Sequence, residues 1–137
     1  MKVSFTGTRL GMNSVQKQLF TKIIGELGAT EFYHGDCVGA DADAHKIVVA
    51  TKQDISVKKR PCNIDSQRAF TTEGECIADP EPPLVRNKKI VDDGEILVAI
   101  PGGQFEEIRS GTWSTVRYAK KNQKPIIIIW PNGHVLR

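Results

Sequence analysis

The sequence predicts an α/β protein: a single Rossmann-like domain over residues 1–137, with three α/β/α layers and a five-stranded, mainly parallel sheet. Strand-like and helix-like segments alternate along most of the chain, and right-handed crossovers between such segments give parallel strands. Two strand segments, "EILVAI" and "IIIIW", are continuously apolar, as in strands that helices cover on both faces. A length of 137 residues suits one hydrophobic core without disulfide support.

The first half of the chain supplies three strands and two helices. In chain order they are a strand at 2–7, a helix at 14–28, a strand at 30–35, a helix at 39–53 and a strand at 54–60. The apolar residues of the first helix recur at helical spacing, with Asn13 or Ser14 as the N-cap and Gly28 as the terminating residue. Both of the first two strand segments end in glycine, which indicates a tight turn after each.

The second half begins with a segment that has no clear period, Pro61–Pro83. It is polar and rich in proline, so we expect a functional loop or a short helix there. Regular elements then return as a helix at 83–94, a strand at 95–103, a helix at 111–123 and a strand at 124–133. In the first of these helices, the spacing of Leu84, Ile90 and Val91 predicts that they face inward, and Gly94 ends the helix.

Composition narrows the environment in which the protein is expected to work. The three cysteines form no CxxC pair, which argues against a disulfide framework and a structural zinc site, and no metal site is predicted. The N-terminal "MKVSFTG" lacks the apolar run of a signal peptide, and "IIIIW" is too short to cross a bilayer. We therefore expect a cytoplasmic protein with no membrane partner. The net charge of +3 fits a solvated surface or a phosphate-bearing ligand.

Glycine-rich loops follow three of the predicted strands. They are "TGTR" after the first strand, "HGDCVGAD" after the second, and "PGG" with "SGT" after the fourth. Because the carboxyl ends of parallel strands meet at one edge of a sheet, these loops are expected to converge there. Glycines let a backbone approach a phosphate closely, and the N–H groups that begin a helix favour an anion. The sequence therefore predicts a phosphate-binding loop and a nucleotide-type site.

Several side chains near these loops have two interpretations. Asp41 can stabilise the first turn of its helix or bind a ribose hydroxyl, and His34 can contact a ligand or pack in the core. Phe105 and Trp113 are candidates for stacking on a base. Cys37 can be a reactive thiol at a helix entry or a small residue that fills the loop.

The segments "TGTR", "HGDCVGADADAHKIV", "RNKKIVDDGEILVAIPGG" and "SGTWSTVRYAKKNQKPIIIIWPNG" resemble the SLOG superfamily. The middle pattern is most similar to its YspA-like branch, and the last segment resembles the Rossmann domain of the DNA-processing protein A family. Only about Asn63–Pro82 has no match. The resemblance implies a nucleotide-derived ligand or single-stranded DNA, and a homodimer or higher homo-oligomer. The ligand contacts that it implies are Gly7, Thr8, Arg9, Gly35, Gly39, Ala40, Asp41, Arg86, Asn87, Gly102, Gly103, Ser110, Gly111 and Thr112.

The Lonely Guy phosphoribohydrolases of the same superfamily share the PGG but carry a compact PGGxGTxxE signature with a catalytic glutamate. In this chain Arg109 or Thr115 occupies the place of that glutamate, depending on the register. N-glycosidic cleavage needs a carboxylate to stabilise a cation-like sugar, and Glu106 and Glu107 in the inserted loop are the candidates.

We therefore expect a protein that binds a nucleotide or nucleotide-derived small molecule as a sensor or sequestering protein, with no required cofactor. Two alternatives are a nucleotide phosphoribohydrolase and a single-stranded DNA-binding protein, for which a stronger basic stripe would be expected.

Overall fold

A computed structural model describes residues 1–51 and 54–137 and shows a three-layer α/β protein. The strands are β1 (Lys2–Gly7), β2 (Glu31–His34), β3 (Ser56–Lys59), β4 (Glu75–Cys76), β5 (Ile96–Ile100), β6 (Ile126–Ile129) and β7 (Val135–Leu136). The helices are α1 (Ser14–Glu26), α2 (Ala40–Ala50), α3 (Pro83–Asp93) and α4 (Gly111–Lys121). The last two positions of the predicted second helix, 52 and 53, lie outside the described residues.

The sheet of the described residues has seven strands in the order β4-β3-β2-β1-β5-β6-β7, so the predicted number of five was wrong. The five predicted strands are the central five, and they are parallel to one another. The two additional strands, parallel β4 and antiparallel β7, lie at the edges. Each is only two residues long, too short to show a period in the sequence.

Helices cover both faces of the sheet, which confirms the predicted three layers. Helices α1 and α2 pack together, and their side of the sheet buries a cluster that includes Phe5, Phe20 and Phe32. Helices α3 and α4 pack together on the other face, over Leu97 and Ile128. Strands β5 and β6 are therefore covered on both faces, as their continuous apolar sequence predicts.

Both ends of α1 follow the sequence signals, whereas the burial predicted for α3 is only partly correct. Asn13 is the N-cap of α1 and forms a capping box with Gln16, while Gly28 follows the helix with a φ of +61°. In α3, Ile90 and Val91 are buried as predicted, but Leu84 is 60% exposed. Leu84 lies in the first turn of α3 and lines a cavity at the edge of the sheet, so it stays exposed.

The segment without a period, 61–83, folds as a short 3₁₀ helix (Asp65–Gln67) followed by β4. Asp36, which follows β2, binds this segment: its carboxylate accepts hydrogen bonds from the Thr71 N–H and hydroxyl at 3.0 and 2.6 Å. Lys59 also donates to the Thr71 carbonyl at 2.7 Å. Across the described ranges, no helix has the length and apolar character needed to cross a bilayer.

Candidate ligand-binding site

A cavity of about 730 Å³ opens at the carboxyl ends of β1, β2 and β5, where ligands bind in open parallel sheets. It lies beside the N-terminal turns of α3 and α4. Most of the predicted ligand contacts line it. They are Gly7, Thr8, Arg9, Gly35, Asp41, Arg86, Asn87, Gly102, Gly103, Ser110, Gly111 and Thr112.

The N-terminus of α4 forms one wall of the cavity. Ser110 caps the helix, because its hydroxyl accepts a hydrogen bond from the Trp113 N–H at 3.3 Å. The N–H groups of Gly111 and Thr112 have no acceptor among the described residues, as expected in a first helical turn. A Cβ atom at Gly111 would meet no atom within 4 Å, so open space surrounds this turn. The wall thus offers free donors and the positive end of a helix dipole.

Gly7 and Gly102 allow close approach in the loops after β1 and β5. A Cβ at Gly7 would lie 2.5 Å from the Cβ of Ala40, so glycine lets α2 begin directly against β1. A Cβ at Gly102 would lie 2.7 Å from the Thr8 hydroxyl oxygen, so glycine also lets these two loops touch. The Thr8 carbonyl accepts the Ala40 N–H at 2.8 Å, which locks the arrangement.

Gly39 and Ala40 therefore support the cavity from behind and do not line it. Gly39 has a φ of +94°, and a Cβ there would lie 2.4 Å from the Arg9 carbonyl oxygen. Arg9 itself does line the cavity, and its guanidinium donates to the Gln67 side chain at 2.7 Å.

Arg86 is a buried cross-link at the deep end of the cavity, with only 4% of its surface exposed. It donates to the Gly35 carbonyl at 2.6 Å, to the Arg60 carbonyl at 3.1 Å and to the Cys37 sulfur at 3.4 Å. Its Nε has no partner among the described residues. Arg86 thus joins α3 to the ends of β2 and β3 and also brings a positive charge to the cavity wall.

Asp41 is a buried carboxylate whose charge interacts with that of Arg86. Its Oδ2 accepts the N–H groups of Gly35 and Cys37, both at 3.1 Å. Burial raises the pKa of Asp41 to about 6, although the Arg86 charge and the two N–H donors oppose the shift. Burial, with the Asp41 charge, also raises the pKa of Cys37 to about 11, so this thiol stays protonated at neutral pH.

His34 does not line the cavity; it is fully buried behind the loop that follows β2. Its Nδ1 accepts the Asp36 N–H at 2.9 Å, so its proton is on Nε2 and is donated to His45 Nδ1, also at 2.9 Å. His45 then donates from Nε2 to the Glu73 carboxylate at 3.0 Å. Burial lowers the pKa of His34 to about 3, which keeps the His34 ring neutral at physiological pH.

The remaining candidates lie in or next to the inserted loop 104–110, and only some of them line the cavity. Phe105 is 83% exposed and lies outside the cavity lining, whereas Trp113 lines the cavity although it is only 4% exposed. Glu106 forms an ion pair with Arg117 at 2.9 Å and does not line the cavity, whereas Glu107 does line it.

The lining residues that were not sequence candidates for ligand contact include Leu10, Leu84, Ile108 and Arg109. Leu10 directly follows the motif TGTR, and Ile108 lies two residues before the motif SGT. Both are large apolar residues in polar loops. That contrast is a sequence signal from which they could have been found. Among the described residues, no group of three or more histidine, cysteine or acidic side chains is arranged to hold a metal ion.

Fold and cavity together define a Rossmann-like α/β domain with a ligand-sized cavity at the carboxyl edge of its sheet. In comparisons with protein-family models, with curated proteins and with solved structures, no match was found. Membership of the SLOG superfamily therefore stays a prediction from the motifs quoted above.

Proposed function

We propose that this protein binds a nucleotide or nucleotide-derived small molecule in the cavity, as a sensor or as a protein that sequesters its ligand. The proposal rests on one observation: the free N–H groups of Gly111 and Thr112 begin α4 at the wall of a cavity of about 730 Å³. That volume falls within the range of roughly 300–1,000 Å³ typical of small-molecule sites. A phosphate at the start of α4 would accept these donors and would be favoured by the helix dipole.

The charges around the cavity support an anionic ligand. Arg9, Arg86 and Arg109 line it together with only two carboxylates, those of Asp41 and Glu107. Arg86 is fixed by its hydrogen bonds to the protein and therefore acts on a ligand through its charge. The guanidiniums of Arg9 and Arg109 belong to loops at the mouth, from which they can form forked bonds to a phosphate.

Binding without cleavage is favoured because the two carboxylates do not form a working pair. Glycoside hydrolysis uses one carboxyl group as an acid or base and a second to stabilise or attack the sugar. Asp41 Oδ2 is occupied by two backbone N–H groups, which leaves Glu107 as the free carboxylate. A phosphoribohydrolase is the second candidate function, because Glu107 does line the cavity.

We also propose that the protein is cytoplasmic, belongs to the YspA-like branch of the SLOG superfamily and forms a homo-oligomer. Native mass spectrometry of the purified protein tests the ligand and the oligomeric state together. We expect a stoichiometric nucleotide derivative to co-purify or, from an empty protein, adenosine 5′-monophosphate to bind in calorimetry while adenosine binds far more weakly.

Equal affinity for adenosine and its monophosphate would exclude a phosphate site at α4. No heat with any nucleoside monophosphate, and no retained ligand, would refute the proposed function. A retained free base or ribose phosphate would favour the hydrolase. Binding to an oligodeoxynucleotide that falls steeply with salt, without binding to mononucleotides, would favour the single-stranded DNA alternative.

A further inference from the structure

Three large apolar side chains are exposed at the mouth of the cavity. Leu10 is 87% exposed, Leu84 is 60% exposed and Ile108 is 89% exposed, and all three line the cavity. We call them the apolar rim. They come from three different places in the fold: the loop after β1, the first turn of α3 and the loop after β5. Exposed apolar residues that gather at a single opening indicate a surface that a ligand or partner covers.

We propose that the apolar rim is the subsite for the nucleobase of the ligand, an inference that rests on the proposed function. The lining combines two kinds of group. Hydrogen-bond donors and charge are found at the start of α4 and at Arg86, and aliphatic side chains are found at the rim. A nucleotide has the same division, because its phosphate is charged and its base has two apolar faces.

The rim is continuous with the phosphate-binding wall. A Cβ at Gly102 would be 3.4 Å from the Leu10 Cδ1, so the Leu10 side chain lies directly over the glycine loop that follows β5. Leu10 and Ile108 therefore come from loops that meet at the same place. A ligand with its phosphate at Gly111 and Thr112 would extend toward these side chains.

The charges beside the rim favour a nucleotide over a second protein molecule. Leu10 follows Arg9 and Ile108 precedes Arg109, and both arginines also line the cavity. Two of the three rim residues are thus chain neighbours of an arginine that lines the same cavity. A nucleotide fits this combination of charged and aliphatic groups, since its phosphate pairs with a guanidinium while its base covers the aliphatic side chains. An apolar protein surface would instead bury two unpaired positive charges, which is costly.

Aliphatic contact with the face of a base carries little information about which base it is, because every base has an apolar face. We therefore expect the four nucleoside monophosphates to bind with similar affinity. Ribose 5-phosphate has the same charge and sugar but no base, so it should bind more weakly than any of them.

Calorimetry with adenosine 5′-monophosphate and with ribose 5-phosphate, on wild type and three variants, tests the subsite. Leu10→Ala and Ile108→Ala should each weaken binding of the nucleotide by roughly five- to tenfold and leave ribose 5-phosphate unchanged. Phe105→Ala is the matched control, because Phe105 is 83% exposed on the same loop as Ile108 but does not line the cavity. It should bind both ligands as wild type does. All three side chains are at the surface, so folding should be unaffected.

The outcomes separate this inference from the proposed function. If wild type binds neither ligand, the proposed function fails and the base subsite fails with it. If wild type binds the nucleotide and the rim variants bind it equally well, the subsite alone is refuted. Parallel loss of both ligands would also refute it, since ribose 5-phosphate has no base. Light scattering on the same samples identifies the competing role: unchanged nucleotide affinity with a fall in mass would make the rim a contact between copies of this chain.

Discussion

Replacing Gly111 by proline tests whether the N-terminus of α4 holds the phosphate. Gly111 is the first residue of the helix, the position at which proline is best tolerated because its N–H has no partner within the helix. Ser110 before it is already extended, with φ −78° and ψ 131°, as a residue before proline prefers. The substitution therefore removes one N–H donor and leaves the helix in place.

The size of the effect follows from the donor that is lost. A hydrogen bond to a charged group contributes about 1.5–3 kcal/mol. At about 1.4 kcal/mol per factor of ten, Gly111→Pro should weaken binding of adenosine 5′-monophosphate by roughly 10- to 150-fold. Calorimetry gives the affinity, and the thermal midpoint of each ligand-free protein shows whether the fold has changed.

Gly111→Ala is the control, since alanine keeps the N–H and its Cβ would meet no protein atom within 4 Å. Its affinity should stay within about threefold of wild type, a difference below about 1 kcal/mol. Wild-type affinity in the proline variant would refute the argument that this N–H contacts the phosphate. Equal losses in both variants would show that added bulk, not the missing donor, disturbs the site.

Three further predictions concern the deep end of the cavity and its mouth. Gly35→Ala would place a Cβ 2.2 Å from Arg86 Nη1 and should cost about 1–3 kcal/mol of unfolding free energy. Gly25→Ala, in an exposed turn of α1 with no atom within 4 Å, should instead stabilise by about 0.5–1 kcal/mol, and urea unfolding compares the two. The pKa of Asp41 is raised from 3.8 to about 6, so its stabilising contribution is present below pH 3.8 and lost as the pH rises through 6. The unfolding free energy of Asp41→Asn, measured relative to wild type, should therefore rise by about 3 kcal/mol from pH 3.5 to pH 7. A difference that stays constant across that range would contradict the burial argument. Glu107→Gln should leave nucleotide affinity within about twofold, whereas loss of a measurable base-release activity in this variant would establish the hydrolase.

The sequence was most informative where a physical pattern extends over many residues. Continuous apolar strands and amphipathic helices predicted the central five strands and all four helices, because burial on both faces of a sheet requires that pattern. The edge strands β4 and β7 were missed because two-residue pairings depend on neighbours that lie far away in the chain. The predicted burial of Leu84 was wrong for a related reason: its helical spacing is correct, but at the first turn of α3 it lines the cavity instead of packing in the core.

The site was predictable to the extent that glycine loops must meet at one sheet edge. What the sequence could not give is which polar residues face the cavity and which support it. His34, Gly39 and Ala40 lie in the same loop region as Gly35 and Asp41, yet they support the wall from behind. The difference depends on contacts with distant residues, such as the one between His34 and His45, which no local pattern encodes.

The two walls of the cavity differ in how firmly they are held. The wall after β2 is fixed, since Asp36 adopts a φ of +54° and is bonded to Thr71 and Ala69 of the 61–83 segment. The loop 104–110 is tied at the surface by Arg117, which is 39% exposed and bonded to Glu106 and to two carbonyls. Exposed ion pairs contribute little, about 0–1 kcal/mol. We therefore expect the loop 104–110 to adjust to a bound ligand at small cost while the opposite wall keeps its shape.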